Sequence, residues 1–344
     1  MTRPQKEGKP SVIRYVVLLL ILMCTPLSGS HGTEPAPPLA LERSIPLIGV
    51  SGRIDHMAID LARRRLFVAE LGNGTVDVVD LAAGTVVHRI NGLREPQGVG
   101  YSPTTDMLAV TGAGDGSVRF FQGGDFSPAG AVDLGNDADN VRLEAGTGRL
   151  VVGFGDGGLA VLDPANRSVV SRIRLPAHPE GFQLDAATHR AVVNVPDAGQ
   201  IAVVDMTAGK LVASWPVPYL RGNFPMAFDD TDALIATVFR APARLVLLDA
   251  GSGTVTTSLA TCGDADDVFF DSRRHHIYVS CGEGEVDVFR REATGYRRLG
   301  RIRTGYGART SLFVPQLDRF FVAARAGFLG IGSNAAILEF RPRP

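Results

Sequence analysis

The chain has 344 residues, 45% of them hydrophobic, with 40 glycines and 21 prolines. That many turn formers would interrupt the helices of a helical enzyme, but they suit short strands joined by tight turns. A formal net charge of -1 leaves no cationic excess to neutralise phosphates, so nucleic acid is not an expected partner.

Residues 1–30 read as an export signal. Arg3, Lys6, Lys9 and Arg14 form a positive n-region, Tyr15 to Cys24 an apolar run, and Pro26 breaks it before Ser28, Gly29 and Ser30. About ten apolar residues fall short of the roughly 20 that span a bilayer, and small residues suit a signal-peptidase site. An uncleaved anchor is the competing expectation, and Met23 before Cys24 argues against a lipoprotein. Removal takes the net charge from -1 to about -4 and leaves no transmembrane segment in the mature chain. The expected product is a monomer in the periplasm or secreted. Residues 31–42 then read as a linker and 43–344 as the folded domain. Two cysteines remain, Cys262 and Cys281, and in an oxidising compartment they imply one disulfide.

One pattern then recurs along the chain. An apolar strand ends in a polar residue, a short turn follows, then a second apolar strand, a Gly-rich turn and a third strand. The first strands close at Asp60, Ser102, Glu144, Asp185, Asp229, Asp271 and Pro315, at intervals of 42, 42, 41, 44, 42 and 44 residues. A fourth, less apolar strand follows in each copy, as in Thr85 to Ile90 and Lys210 to Trp215. Four strands in a period near 42 residues is the pattern of a propeller blade. The alternation has period 2, which rules out a helical solenoid. The last copy, Ala308 to Phe340, supplies three strands, and Arg43 to Val50 (RSIPLIGV) has no other partner. The expected fold is therefore all-β, a seven-bladed β-propeller closed by the N-terminal strand joining the C-terminal blade.

The lines HHIYVSCGEGEVDVF, RRLFVAELGNGTVDVVDLAAGTVV and RAVVNVPDAGQIAVVDMTAGKLV resemble the YVTN-repeat, YncE-like β-propellers. The resemblance covers Arg43 to Phe340 and implies the fold. It implies little about activity, because the family is held together by structural motifs.

In such a blade the loops leading into first strands share one face, here the upper face, with the turns between strands two and three. Cys262 and Cys281 both fall there on blade 6. The same topology gathers Asp55, His56, Gln97, Asp139, Asn140, Glu180, Asn223, Asp266, Asp267 and Arg309 around the channel mouth, with His178, Phe224 and Thr310 beside them. One reading makes this ring a site for a cationic ligand or a divalent cation such as calcium or magnesium. The other has Asp and Asn satisfying turn backbones, with Asp266 paired to Arg309. His56 and His178, on blades 1 and 4, are expected nearly opposite each other. Apolar loop residues Phe328, Leu329 and Ile331, and more weakly Phe239 with Arg240, read as a partner surface.

Gly153 to Gly158 (GFGDGG) fits a dinucleotide-binding string, but a strand follows it where a helix is needed, so it reads as a hairpin turn. No HExxH, CxxC, GxSxG or P-loop occurs. His189, His275 and His276 fall in lower-face turns and are expected to be solvated. The leading functional expectation is a non-catalytic binding or scaffolding module whose partner is an envelope protein or a small polar ligand. The alternative is a metal-dependent lactonase or other hydrolase with Asp139, Glu180, Asn223 and Asp266 as metal ligands and His56 as acid or base.

Overall fold

A computed structural model of the chain describes residues 36–229, 231–327 and 334–344. They form seven four-stranded antiparallel sheets. Blade 1 occupies residues 57–90, blade 2 96–133, blade 3 138–174, blade 4 182–216, blade 5 221–260 and blade 6 265–303. Blade 7 takes three strands from residues 311–342 and its fourth, outermost strand from Leu39–Pro46. The ring is thus closed by both chain ends, as the repeat requires. The closing strand begins at Leu39, four residues before the expected Arg43, and pairs Leu39 with Pro342. Leu39 and Ile45 set this register by burying their side chains. Leu47 and Val50, expected in the strand, are buried in the connection to blade 1 instead.

Second and third strands are buried almost throughout, while fourth strands are largely exposed, as their weaker apolar character dictates. The core is not a single mass. Each of seven buried apolar clusters lies in the seam between two neighbouring blades, such as Phe67 and Val78 of blade 1 with Leu108 and Val110 of blade 2. Removing apolar area in this way drives blade against blade.

Polar clamps on the lower face reinforce two seams. Arg63 bonds Asp60 within blade 1 at 3.0 Å and reaches Tyr101 and Asp106 of blade 2 at 2.9 Å. Arg274 repeats this, bonding Asp271 at 3.0 Å and Asp318 of blade 7 at 2.9 Å, while the Tyr278 hydroxyl donates to Asp271 at 2.6 Å. His276, expected in solvent, is 1% exposed at the start of its strand. The Gly153–Gly158 segment is a hairpin turn between Leu150–Phe154 and Gly158–Asp163. Cys262 and Cys281 form a disulfide with a Cα–Cα distance of 5.8 Å.

Candidate functional site at the channel mouth

First strands line the axis, and at their upper ends four of them depart from regular pairing. The register between first and second strands slips at Gln97–Gly98 in blade 2, Asp139–Asn140 in blade 3, Phe224–Pro225 in blade 5 and Asp266 in blade 6. Such bulges re-aim side chains, and here they turn Asp139, Asn140 and Asp266 toward the mouth. The backbone groups they strand are captured by polar side chains from the upper ends of second strands. Thr111 accepts from the Gly98 N–H at 2.7 Å and donates to the Asp139 carbonyl at 2.6 Å. Asn194 and Thr237 each donate to the Pro225 carbonyl at 3.1 Å. Gly98 has no alternative residue, because a Cβ there would lie 2.1 Å from the Asp139 carbonyl oxygen.

Asp139 is the centre of the arrangement. Its carboxylate is 2% exposed, with Oδ1 4.0 Å from His56 Nε2 and Oδ2 3.8 Å from His178 Nε2. The two histidines expected on opposite sides therefore face one carboxylate, which reaches between them from blade 3. The other His178 nitrogen, Nδ1, donates to the Gly155 carbonyl at 2.6 Å. Burial opposes the charge on His178, but Asp139, the Gly155 carbonyl and Asp137 outweigh it and raise the imidazole to about 9. His56 is raised in the same way, with burial overcome by Asp55, Asp267 and Asp139.

Several acids here bind protons unusually well. Burial lifts Asp55 to about 6, against the attraction of His56 and Arg53. Burial and then Asp139 lift Glu180 to about 8. Burial lifts Asp267 to about 7, although the Ser311 N–H donates to it at 2.7 Å. The Gln97 carbonyl accepts from the His56 N–H at 3.2 Å.

The ring is not simply acidic. Arg240 donates to Asp266 at 2.6 Å and lies 3.8 Å over the Phe224 ring, and Arg309 reaches the other Asp266 oxygen at 3.0 Å. Arg309 also bonds both Asp264 oxygens at 3.0 Å. The pairing of Asp266 with Arg309 across blades thus holds. Arg53 stands 2.7 Å from Asp55 Oδ2, without a hydrogen aimed along that line. Arg240 is therefore tied into the mouth, and Phe239, 1% exposed, packs in the seam between blades 4 and 5 and offers no partner surface. Phe328, Leu329 and Ile331 lie outside the described residues. Tyr219 and Tyr306, in the loops leading into blades 5 and 7, are 96% and 89% exposed on this face.

Among the described residues, the buried acceptors at the mouth without a hydrogen-bond donor are both Asp55 oxygens, Asp266 Oδ2, Asp139 Oδ1, Asn140 Oδ1 and Asn223 Oδ1, with Arg53 and Arg309 standing beside the first two residues. No three His, Cys, Asp or Glu side chains among the described residues stand close enough to hold one. Of the four expected ligands, Asp266 is engaged by two arginines, while Asn223 Oδ1 has no donor.

No family model matches the chain, and no curated relative does. Solved structures do. The Kuenenia stuttgartiensis hydrazine synthase is similar over 85% of this chain and 98% of that one, at 14% identity and a TM-score of 0.73. A chain of the mitotic checkpoint complex matches over 96% and 99%, at 12% identity and 0.74. The RRP9 WD40 repeats match over 88% and 97%, at 11% identity and 0.73. These likenesses establish the fold class, a seven-bladed β-propeller.

Proposed function

We propose that this chain is an exported propeller of the YVTN type, serving as a non-catalytic binding module in the periplasm or cell envelope. Its upper face docks an envelope protein, and the mouth takes up a hydrogen-bond donor from that partner. The observation that carries this reading is the group of buried acceptors at the mouth that lack donors among the described residues, Asp139 Oδ1, Asn140 Oδ1 and Asn223 Oδ1 among them. A hydrogen bond gained in exchange for water is worth about 0.5–1.5 kcal/mol net, so a partner that supplies donors gains on that order at each. Tyr219 and Tyr306 add the exposed aromatic surface that protein interfaces favour. One similar structure belongs to the mitotic checkpoint complex, where the fold stands within a multiprotein assembly. A metal-dependent lactonase would have to draw Asp266 away from Arg240 and Arg309.

Fractionation of cells producing the tagged protein tests export, and affinity capture from the envelope fraction tests docking. The expected result is one discrete protein retained by the unaltered chain and by the lower-face variant Leu61→Ser. It should be lost with Asp139→Asn and with Tyr219→Ala combined with Tyr306→Ala. Loss with Leu61→Ser alone, or residence in the cytoplasm, would refute the reading. Capture of nothing, with binding of a small polar compound that Asp139→Asn abolishes, would move the partner from protein to ligand.

A further inference from the structure

Beneath the mouth the axis opens into a cavity of about 260 Å³. Its walls are apolar and drawn from first strands of several blades, among them Ile59, Val99, Leu143, Phe269 and Leu312. Leu143 is 39% exposed, and Ile59, Phe269 and Leu312, which pack on the edges of seam clusters, remain part-exposed where they line the cavity. At its upper end stand His56, Asp267, Ser311 and Arg142. Arg142 also lines the small space of about 20 Å³ that separates this cavity from the mouth. It therefore sits at the boundary between two chemically different compartments.

Arg142 has a structural duty that does not need its charge. Its Nε donates to the Phe182 carbonyl of blade 4 at 3.1 Å, and Nη1 to the Val141 carbonyl at 2.9 Å. One blade further on, at the equivalent position, Gln183 makes the same tie with a neutral amide, donating to the Met226 carbonyl of blade 5 at 2.7 Å. A guanidinium carries five N–H donors and a permanent charge. The charge and the remaining donors of Arg142 are thus surplus to the blade tie. Among the described residues Arg142 makes no ion pair; Asp267 and Asp139 attract it only from a distance. Blades 1 and 2 carry only Ala58 and Gly100 at the equivalent positions, with Val141 packed against Gly100, so neither supplies a second charged group to the cavity wall.

An apolar-walled cavity with an unpaired guanidinium at its upper end, beside His56 and Asp267, has the layout of a site for an amphipathic anion. We infer that the channel below the mouth binds a small monocarboxylate, with its carboxylate on Arg142 and its hydrocarbon or aromatic body along Ile59, Val99, Leu143, Phe269 and Leu312. This site is separate from the docking surface proposed above and stands or falls independently of it.

Calorimetric titration of the purified protein with octanoate, benzoate, octanol and octylamine tests the inference. Octanoate or benzoate should bind at least tenfold more tightly than octanol or octylamine. Arg142→Gln should keep the melting temperature within a few degrees, as Gln183 shows an amide can make the tie, and should abolish the preference for the acid. Equal binding of octanol and octanoate would overturn the inference. So would unchanged octanoate binding by Arg142→Gln, or no heat from either acid up to about 1 mM, the weak end of specific affinity. Should Arg142→Gln fail to fold, the ranking of the four probes by the unaltered protein decides. Normal capture of an envelope protein alongside a failed acid titration would leave the docking surface standing and remove only this site.

Discussion

His56 on blade 1 and Asp139 on blade 3 meet across the top of blade 2, with Nε2 and Oδ1 4.0 Å apart. The bulge at Asp139–Asn140 makes this approach possible by carrying the carboxylate off the regular strand path. With His178 on its other oxygen, Asp139 lies between two imidazoles that both favour the charged form. Geometry at the mouth therefore rests on backbone irregularities, and those can be attacked directly.

The Gly98→Ala variant tests that dependence. Its Cβ would fall 2.1 Å from the Asp139 carbonyl and 2.7 Å from Thr111 Oγ1, so the bulge must move. Crowding of this kind costs about 1–3 kcal/mol. A lowered melting temperature and a changed His56 or His178 imidazole signal by NMR are the expected results. A variant as stable as the parent, with unshifted imidazoles, would show that the bulges are not what holds Asp139.

Stability should fall as pH rises from mildly acidic values. Folding raises Asp55 from 3.8 to about 6, Asp267 from 3.8 to about 7, Glu180 from 4.5 to about 8 and His178 from 6.5 to about 9. A group that holds its proton more tightly when folded contributes fully below its unfolded-state pKa, and the contribution is lost as pH climbs through the folded value. All four act in the same direction. The melting temperature should therefore be higher at pH 5 than at pH 9, with a shallower slope in Asp267→Asn and in Glu180→Gln. Thermal scans across that window decide the point, and a rise toward alkaline pH would contradict it.

Arg274 joins blade 6 to blade 7 through Asp271 and Asp318, with Asp271 2% exposed. Arg274→Met would strand Asp271 as a buried charge retaining only the Tyr278 hydroxyl and nearby backbone. Removing one partner of a buried pair costs about 3–5 kcal/mol. Chemical denaturation should show a loss of that size for Arg274→Met and a smaller one for Arg273→Met, whose side chain is 76% exposed. Similar losses for the two would mean that the buried clamp contributes nothing special.

The disulfide closes a sequence separation of 19 residues within blade 6. A loop of that size corresponds to about 3 kcal/mol. Cys262→Ser with Cys281→Ser should melt at a lower temperature than the parent. Reductant should lower the parent's melting temperature and leave the double variant unmoved. A response to reductant in the double variant would point to another cause.

The blade count was legible because each copy repeats polar first-strand termini at Asp60, Asp185, Asp229 and Asp271, and strand alternation survives wherever a seam must be filled. Placing Asp139, Asn140 and Asp266 at the mouth followed from the same arithmetic. The bulges were not legible, because they fall at the polar upper ends of the first strands, outside the apolar alternation, and so the meeting of His56 and His178 at one carboxylate was missed. Arg142 was overlooked inside an apolar first strand. The signal available was a charged residue where other blades have Ala58, Gly100 and Gln183. Phe239 was misjudged because its burial is supplied by a neighbouring blade distant in sequence. Tyr219 and Tyr306 sit in loops whose exposure no periodicity reveals.

Arg43 and Glu339 are joined by a 2.8 Å hydrogen bond across 296 positions of sequence. Six blades can assemble in order as the polypeptide is synthesised, each from contiguous residues. The seventh must wait until Ala336–Pro342 has emerged and met Leu39–Pro46, made before the first blade. Until then Ala336–Pro342 or Leu39–Pro46 presents an open β-edge, the kind of surface that recruits neighbouring chains. The interval before the ring shuts is therefore when this protein is most vulnerable to aggregation, and any factor that shields nascent chains would act on it then.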